Sequence, residues 1–365
     1  MRFLFHFYDL EQRAGIQRAI CTLSNALVEQ GHEVLIAAHT ERSRVAFTLD
    51  ERIAIAEIPY PEYQKTGLAA WPVKAWWAIR QIRVLKGIIL FFKPSVVVDH
   101  GTALGLLYPF GRLAGVPFVL QRHFPVNSFP RGEVLYRILG RLNASKTVVV
   151  LTRGIARDLR RFGYKRIAVI PNVVPPDATP DGPPATNPRI GLLLGRGNNP
   201  QKGFDIFLRA LASVETDGWR FVIAGPQVDT DPLLTHLVED LALQDRVSLQ
   251  PATTRPYDLI RRCSCLVMPS RYEALPMVAL EALSIGRPLI ASDTDGLCEV
   301  VKNDINGLTF PSEDVSALAK CIGRVCASPE VLEGLALNAH LEGGDFERSG
   351  IVASWCGLAA RITNE

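Results

Sequence analysis

Two segments of this sequence place charged side chains beside glycine or proline at spacings that suit chemistry on an anionic substrate. The first runs Leu193-Leu194-Gly195-Arg196-Gly197-Asn198-Asn199-Pro200-Gln201-Lys202-Gly203. Glycines let the backbone turn tightly and come close to a ligand. Arg196 and Lys202 put one cation at the end of an apolar run and another at the start of the next helical one. Two cations with helix-terminal amides suit a diphosphate. A solvated loop with two surface cations is the plainer account of the same residues.

The second segment runs Ser270-Arg271-Tyr272-Glu273-Ala274-Leu275-Pro276-Met277-Val278-Ala279-Leu280-Glu281-Ala282. Pro276 suits the first position of a helix, where its missing N–H costs nothing, and Gly286 suits the end. Glu273 then lies in the loop just before the helix. The amides of Leu275, Met277 and Val278 are placed to bind an anion at its start. Glu281 falls about one and a half turns into that helix, where a carboxylate can accept hydrogen bonds from a ribose diol. A capping role for Glu273 and a surface position for Glu281 are the plainer alternatives.

These loops need a scaffold, and the pattern of the chain supplies one. Residues 2–7, 33–38, 95–99, 117–121, 147–151 and 166–170 read as short buried strands, with helical stretches between several of them, the first at 15–30. Residues 175–188 hold six prolines, which exclude a helix or central strand and read as a linker. A second series follows, with strands at 190–194, 220–224, 247–250, 265–268 and 288–291. Helices are expected at 204–213, 232–243, 256–262, 276–285 and 315–327. Alternating β and α means parallel sheets covered by helices. The expected architecture is therefore α/β, with two doubly wound, Rossmann-like domains facing across a cleft. The parts are an N-terminal domain over 1–172, a linker over 173–188, a C-terminal domain over 189–345 and a terminal helix over 346–365 that crosses back to the first domain. In such sheets ligands sit at the carboxyl ends of the strands, in strand-to-helix loops.

Composition agrees with a globular chain. Of 365 residues 48% are hydrophobic, and 40 Lys plus Arg stand against 37 Asp plus Glu, a net charge of +3. That sum excludes a strongly basic nucleic-acid binder. Seven cysteines with no CxxC pair indicate neither a disulfide framework nor a zinc ribbon. No apolar run reaches the roughly 20 residues of a membrane span. A soluble cytoplasmic protein is the expectation.

Taken together, Gly195-Arg196, Lys202-Gly203, Glu273-x7-Glu281, Gly286-x-Pro288 and Asp293-x-Asp295-Gly296 resemble a retaining glycosyltransferase of family 4 with the GT-B fold. Ala14-Gly15-Ile16-Gln17-Arg18, Val169-Ile170-Pro171-Asn172 and Asn306-Gly307-Leu308 extend the resemblance over about residues 1–325. It implies transfer of a hexosyl group from a nucleotide-diphosphate sugar, UDP-linked in the commonest case, without a metal or other cofactor. Asp293-x-Asp295 has the spacing of a metal pair but falls in the family's glycine-containing turn.

By the same resemblance, Arg196 and Lys202 hold the donor diphosphate and stabilise charge on the leaving nucleotide. Glu281 binds the ribose, and Glu273 contacts the sugar hydroxyls. Leu275, Pro276, Met277 and Val278 line the sugar and phosphate, Ala252 lies at the base, and Gly15 lets the first domain approach the diphosphate. His123 matches the first-domain histidine that reaches the reacting sugar. Ala14 and Ala274 stand where glycines are frequent. Glu273 as a covalent nucleophile and a same-face displacement assisted by the leaving phosphate both remain open. So do a GT-B epimerase or phosphorylase and a non-catalytic nucleotide-sugar-binding module. An NAD-dependent enzyme is disfavoured, since no GxGxxG follows the first strand.

The net charge hides an asymmetry. Residues 1–180 carry 24 Lys plus Arg and 13 Asp plus Glu, a net +11, and residues 181–365 carry a net −8. In the family the first domain takes the acceptor. A basic acceptor domain suits a glycan on a polyprenyl diphosphate, or an anionic membrane surface. Trp76 and Trp77 with Lys74, Arg80, Arg83 and Lys86 have the composition of an interfacial helix. Arg153, Arg157, Arg160, Arg161, Lys165 and Arg166 form a second basic cluster. The expected setting is polysaccharide or glycoconjugate assembly at the inner face of the membrane, with no nucleic acid partner.

Overall fold

A computed structural model describes residues 1–58, 71–102, 105, 108, 110–123, 132–175, 188–342 and 348–365, and for residues 71–78 and 132–136 it describes the backbone alone. The chain divides into two compact units. Met1–Val173 with Arg348–Glu365 form the first, and Val174–Glu347 form the second.

In the first unit the strands are β1 (Arg2–His6), β2 (Glu33–Ala38), β3 (Ala54–Glu57), β4 (Val96–Asp99), β5 (Arg112–Leu113), β6 (Val116–Arg122), β7 (Thr147–Val150) and β8 (Arg166–Val169). They form a sheet of order β3-β2-β1-β4-β6-β7-β8, with β5 antiparallel to β6. The main path is parallel, and Val, Ile and Leu fill both faces, as strands covered by helices on both sides require. One face packs Phe3, Phe5, Val98 and Val119 against Ile20, Leu23 and Leu27 of helix Gly15–Glu29. The other packs Leu4, Val97 and Phe118 against Leu85 and Ile89 of helix Trp71–Phe92.

Helix Arg348–Asn364, 17 residues long, completes the first core. Ile351, Val352, Trp355, Leu358, Ala359 and Ile362 follow one another at spacings of one or three residues, so they share one helical face. That face is buried in the same cluster as Phe3 and Leu23. Arg348 pairs with Glu29 at 2.5 Å.

The second unit holds β9 (Ile190–Leu194), β10 (Arg220–Ala224), β11 (Val247–Gln250), β12 (Cys265–Met268), β13 (Leu289–Ser292) and β14 (Gly307–Phe310). Their order, β11-β10-β9-β12-β13-β14, is parallel throughout. The order reverses at β9. The loops after β9 and its neighbour β12 therefore open at the switch point of the sheet, where ligands bind in such folds.

The two parallel α/β units are those the sequence pattern predicts. Several local details differ. Strand β14 starts at Gly307, inside the Asn306-Gly307-Leu308 motif, whose Asn-Gly pair has the composition of a turn, because the turn closes earlier. Asn306 Oδ1 accepts from the Lys302 amide at 2.8 Å, and its Nδ2 donates to Val300 O at 2.9 Å. Helices Gly132–Leu142 and Pro329–Glu342 and strand β3 are additions to the pattern. The proline-rich segment expected as a linker lies outside the described residues over 176–187; Val173 and Val174 at its start are buried.

Candidate active site

The site in the second unit is built on two adjacent loops. After β9 the chain makes a short 3-10 turn, Pro200–Lys202, capped by Asn199, whose side chain accepts from the Gln201 amide at 3.2 Å. Gly203 then opens helix Phe204–Ala212 with φ +64. A Cβ at Gly203 would stand 2.0 Å from Pro269 O, so this residue must be glycine for both its dihedral and its neighbour. This close approach brings the β9 loop against the β12 loop.

Lys202 and Glu273 meet across that junction. Lys202 Nζ lies 2.7 Å from Glu273 Oε1. Ser270 Oγ donates to the same oxygen at 2.9 Å. Glu273 is 7% exposed and so largely removed from solvent screening.

Helix Met277–Ser284 follows at once. It begins one residue later than the expected first position. Pro276 has φ −70 and ψ 130, an extended cap conformation, and its carbonyl accepts from the Ala279 amide at 3.1 Å. Pro276 therefore serves the helix through its carbonyl rather than through its missing donor. Leu275 and Met277 are buried, and Val278 is half-buried. The first backbone amides, at Met277 and Val278, have no acceptor within their own helix. The turn behind Glu273 is pinned by Gly296, where a Cβ would sit 2.1 Å from Ala274 O and 2.6 Å from Glu273 O. Gly296 belongs to a short helix, Asp295–Cys298. Asp293 Oδ1 accepts from the Ser312 amide at 2.7 Å.

The other predicted residues of this unit are placed differently. Glu281 is fully buried rather than on a helix surface, and Tyr257 Oη donates to its Oε1 at 3.5 Å. Arg196 is exposed on the β9 loop, next to Gly195, whose Cα faces the Lys202 stem. Ala252 lies exposed in the loop after β11. No hydrogen bond or ion pair joins Arg196 or Ala252 to Glu273 among the described residues.

Gly15 and His123 belong to the first unit. Gly15 opens helix Gly15–Glu29, with Ala14 extended at the cap, and a Cβ on Gly15 would meet nothing within 4 Å. His123 follows β6, is buried, and shares a hydrogen bond of 3.1 Å between its Nε2 and His100 Nδ1. The two rings stack with centroids 5.4 Å apart. Burial, then the Arg122 charge, push His123 down to about 4, and burial pushes His100 well below the usual histidine range. Both imidazoles are thus neutral at pH 7, and the bond between them is one neutral ring donating to the other.

Sequence reasoning passed over several side chains. Ser270 and Arg271 stand inside the Glu273 segment, and a hydroxyl three residues before a carboxylate was a readable signal. His100 follows an apolar strand much as His123 does. His6 Nδ1 bonds Asp99 Oδ2 at 2.6 Å with both side chains fully buried.

Comparison with known proteins decides what this assembly belongs to. Residues 13–178 match the sequence model described as Glycosyltransferase Family 4, and residues 188–328 match that described as Glycosyl transferases group 1. The chain belongs to the family 4 glycosyltransferases.

It is a glycosyltransferase with the GT-B fold. An uncharacterised glycosyltransferase of Haemophilus influenzae is 23% identical over 97% of this chain and 98% of its own. An exopolysaccharide phosphotransferase of Streptomyces coelicolor is 26% identical over 94% of this glycosyltransferase, which spans only 39% of that protein's length. In structure, Anabaena HepE in complex with UDP and glucose superposes with a TM-score of 0.77 at 14% identity, over 99% of this chain and 100% of its own.

Proposed function

We propose that this glycosyltransferase moves a hexosyl group from a UDP-linked sugar, with retention of configuration and without a metal, to a glycan or lipid-linked saccharide in polysaccharide or glycoconjugate biosynthesis. The observation that carries the reading is the Lys202–Glu273 pair at the mouth of helix Met277–Ser284, at the switch point of a parallel sheet. A cation for phosphate oxygens and a carboxylate for sugar hydroxyls stand one hydrogen bond apart there. The helix amides at Met277 and Val278 add positive partial charge.

In this reading Arg196 and Lys202 hold the diphosphate, Glu273 orients the sugar, and Glu281 takes the ribose in place of the Tyr257 hydroxyl. Leu275 and Pro276 line the sugar, and Ala252 borders the base. The acceptor oxygen bonds the anomeric carbon as the bond to the leaving phosphate breaks on the same face. The acceptor's proton passes to that phosphate, and Arg196 and Lys202 balance the charge left on the diphosphate. The cations do what a metal does elsewhere.

The acceptor side of the proposal rests on the first unit. Helix Trp71–Phe92 exposes Phe91 at 89% and Leu90 at 69%, together with Arg80, Arg83 and Lys86. Trp76, Trp77 and Lys74, whose side chains lie outside those described, belong to the same helix. Exposed aromatic and aliphatic groups beside cations suit an anionic lipid surface at the inner face of the membrane. Among the described residues no helix is long and apolar enough to cross a membrane. A panel of UDP- and GDP-sugars, read as nucleotide release with and without EDTA, tests the donor reading. Release from UDP-sugars that survives EDTA is expected; no release from any of them would refute it.

A further inference from the structure

Arg271 is the one residue between Ser270 and Glu273 whose side chain reaches out of its own loop into several others. Its Nη1 donates to Pro200 O at 2.6 Å and to Asp205 Oδ1 at 3.0 Å. Its Nη2 donates to Asp205 Oδ2 at 2.8 Å, and its Nε to Glu313 Oε1 at 2.7 Å. The backbone repeats the stitch: the Arg271 amide donates to Gln201 O at 2.8 Å, and Gln201 Nε2 donates back to Tyr272 O at 2.9 Å. Every bond but the one to Glu313 ties residues 200–205 to residues 271–272. Lys202 lies within the first stretch and Glu273 follows the second.

We propose that Arg271 is a positioning residue, a guanidinium clamp through Asp205 and Pro200 that sets the Lys202–Glu273 distance on which transfer depends. The inference rests on the reading of Lys202 and Glu273 as donor-site groups. Two loops 71 residues apart in sequence have no local reason to hold a 2.7 Å contact. The fork of Arg271 supplies one, because a bidentate guanidinium fixes direction as well as distance. Its anchor is firm. Asp205 sits in the first turn of helix Phe204–Ala212, where negative charge is favoured. The pair is about 70% shielded on each side, at 28% and 30% side-chain exposure, whereas Glu313 is 63% exposed and adds less. Arg271 does not share the Glu273 carboxylate, so its action is indirect. Loosening such a clamp by an ångström is enough to cost about 100-fold in rate.

A double-mutant cycle on the full chain tests this. Arg271→Lys keeps the charge and loses the fork. It is expected to lower kcat for nucleotide release by about 10-fold or more, with KM for the donor sugar changed less. In a Glu273→Gln background, where the contact it sets is already weakened, the same change is expected to cost under about 3-fold. Equal losses in both backgrounds, or an unchanged kcat, would overturn the inference. If Arg271→Lys does not fold, Asp205→Asn removes the anchor's charge and enters the same cycle. A Glu273→Gln protein that turns over normally overturns the donor-site reading itself. A slow Glu273→Gln protein with additive Arg271→Lys overturns only the clamp.

Discussion

Lys202 Nζ and Glu273 Oε1 lie 2.7 Å apart, so each of these two groups serves as counter-ion to the other while the donor is absent. The carboxylate is mostly buried and would be costly to leave unpaired. In the proposed reading, a nucleotide sugar entering the site brings both replacements, phosphate for the lysine and hydroxyls for the glutamate. Glu273→Gln removes the charge and keeps the shape. UDP affinity should stay within about 3-fold, and turnover at saturating donor should fall by about 100-fold, the scale of one lost transition-state contact. Isothermal titration with UDP beside steady-state kinetics separates the two, and unchanged turnover would sink the role.

Lys202→Met should show the opposite balance. It removes a phosphate contact made in the ground state as well as later, so UDP binding weakens by about 10-fold or more. It also leaves the buried Glu273 carboxylate without its cation, which lowers the thermal midpoint. A midpoint equal to the parent's would mean that Glu273 does not depend on Lys202.

Gly203→Ala forces a side chain into positive φ and against Pro269 O. The strain alone costs of order 1–3 kcal/mol, and the contact adds to it. We expect a clear drop in the thermal midpoint and loss of UDP binding, because the β9 and β12 loops separate. Retention of both in the variant would show that this approach is not needed.

The histidine pair in the first unit makes that unit acid-sensitive. His123 is held at about 4, against about 6.5 in an unfolded chain, and His100 shifts the same way. The unfolded state then binds more protons between pH 6.5 and 4, so stability is full above 6.5 and is lost as pH falls toward 4. Each fully offset proton contributes a slope of about 1.4 kcal/mol per pH unit. Denaturant titrations at pH 7, 6, 5 and 4 should show it. His100→Asn together with His123→Asn should flatten the curve, and an unaltered slope would assign the sensitivity elsewhere.

Much of the fold was legible because buried parallel strands are short β-branched runs that recur between helical stretches. Strand β3, Ala54–Glu57, escaped because this edge strand, with no fully buried residue, offers only the short run Ile53-Ala54-Ile55-Ala56. Strand β14 escaped because Asn306-Gly307 reads as a turn when the hydrogen bonds of Asn306 are unseen. At the site, Lys202 and Glu273 stood out as charges beside glycine and proline. The burial of Glu281 did not, since a helix position inside a mostly apolar run can face either way. Arg271 was invisible as a clamp, because its partners Asp205 and Pro200 are 66 and 71 residues away and only the sheet order brings them near.

The helix Arg348–Asn364 fills the core of a unit whose other residues all precede position 174. On the ribosome, therefore, synthesis and folding run in different orders. The second unit is a continuous stretch and has its whole core once residue 347 has emerged, whereas the first unit, made earlier, waits for Trp355 and its neighbours. Until then the part of its apolar core that the last helix covers stays open. A nascent chain stalled before residue 348 would be a client for chaperones at its beginning rather than at its end.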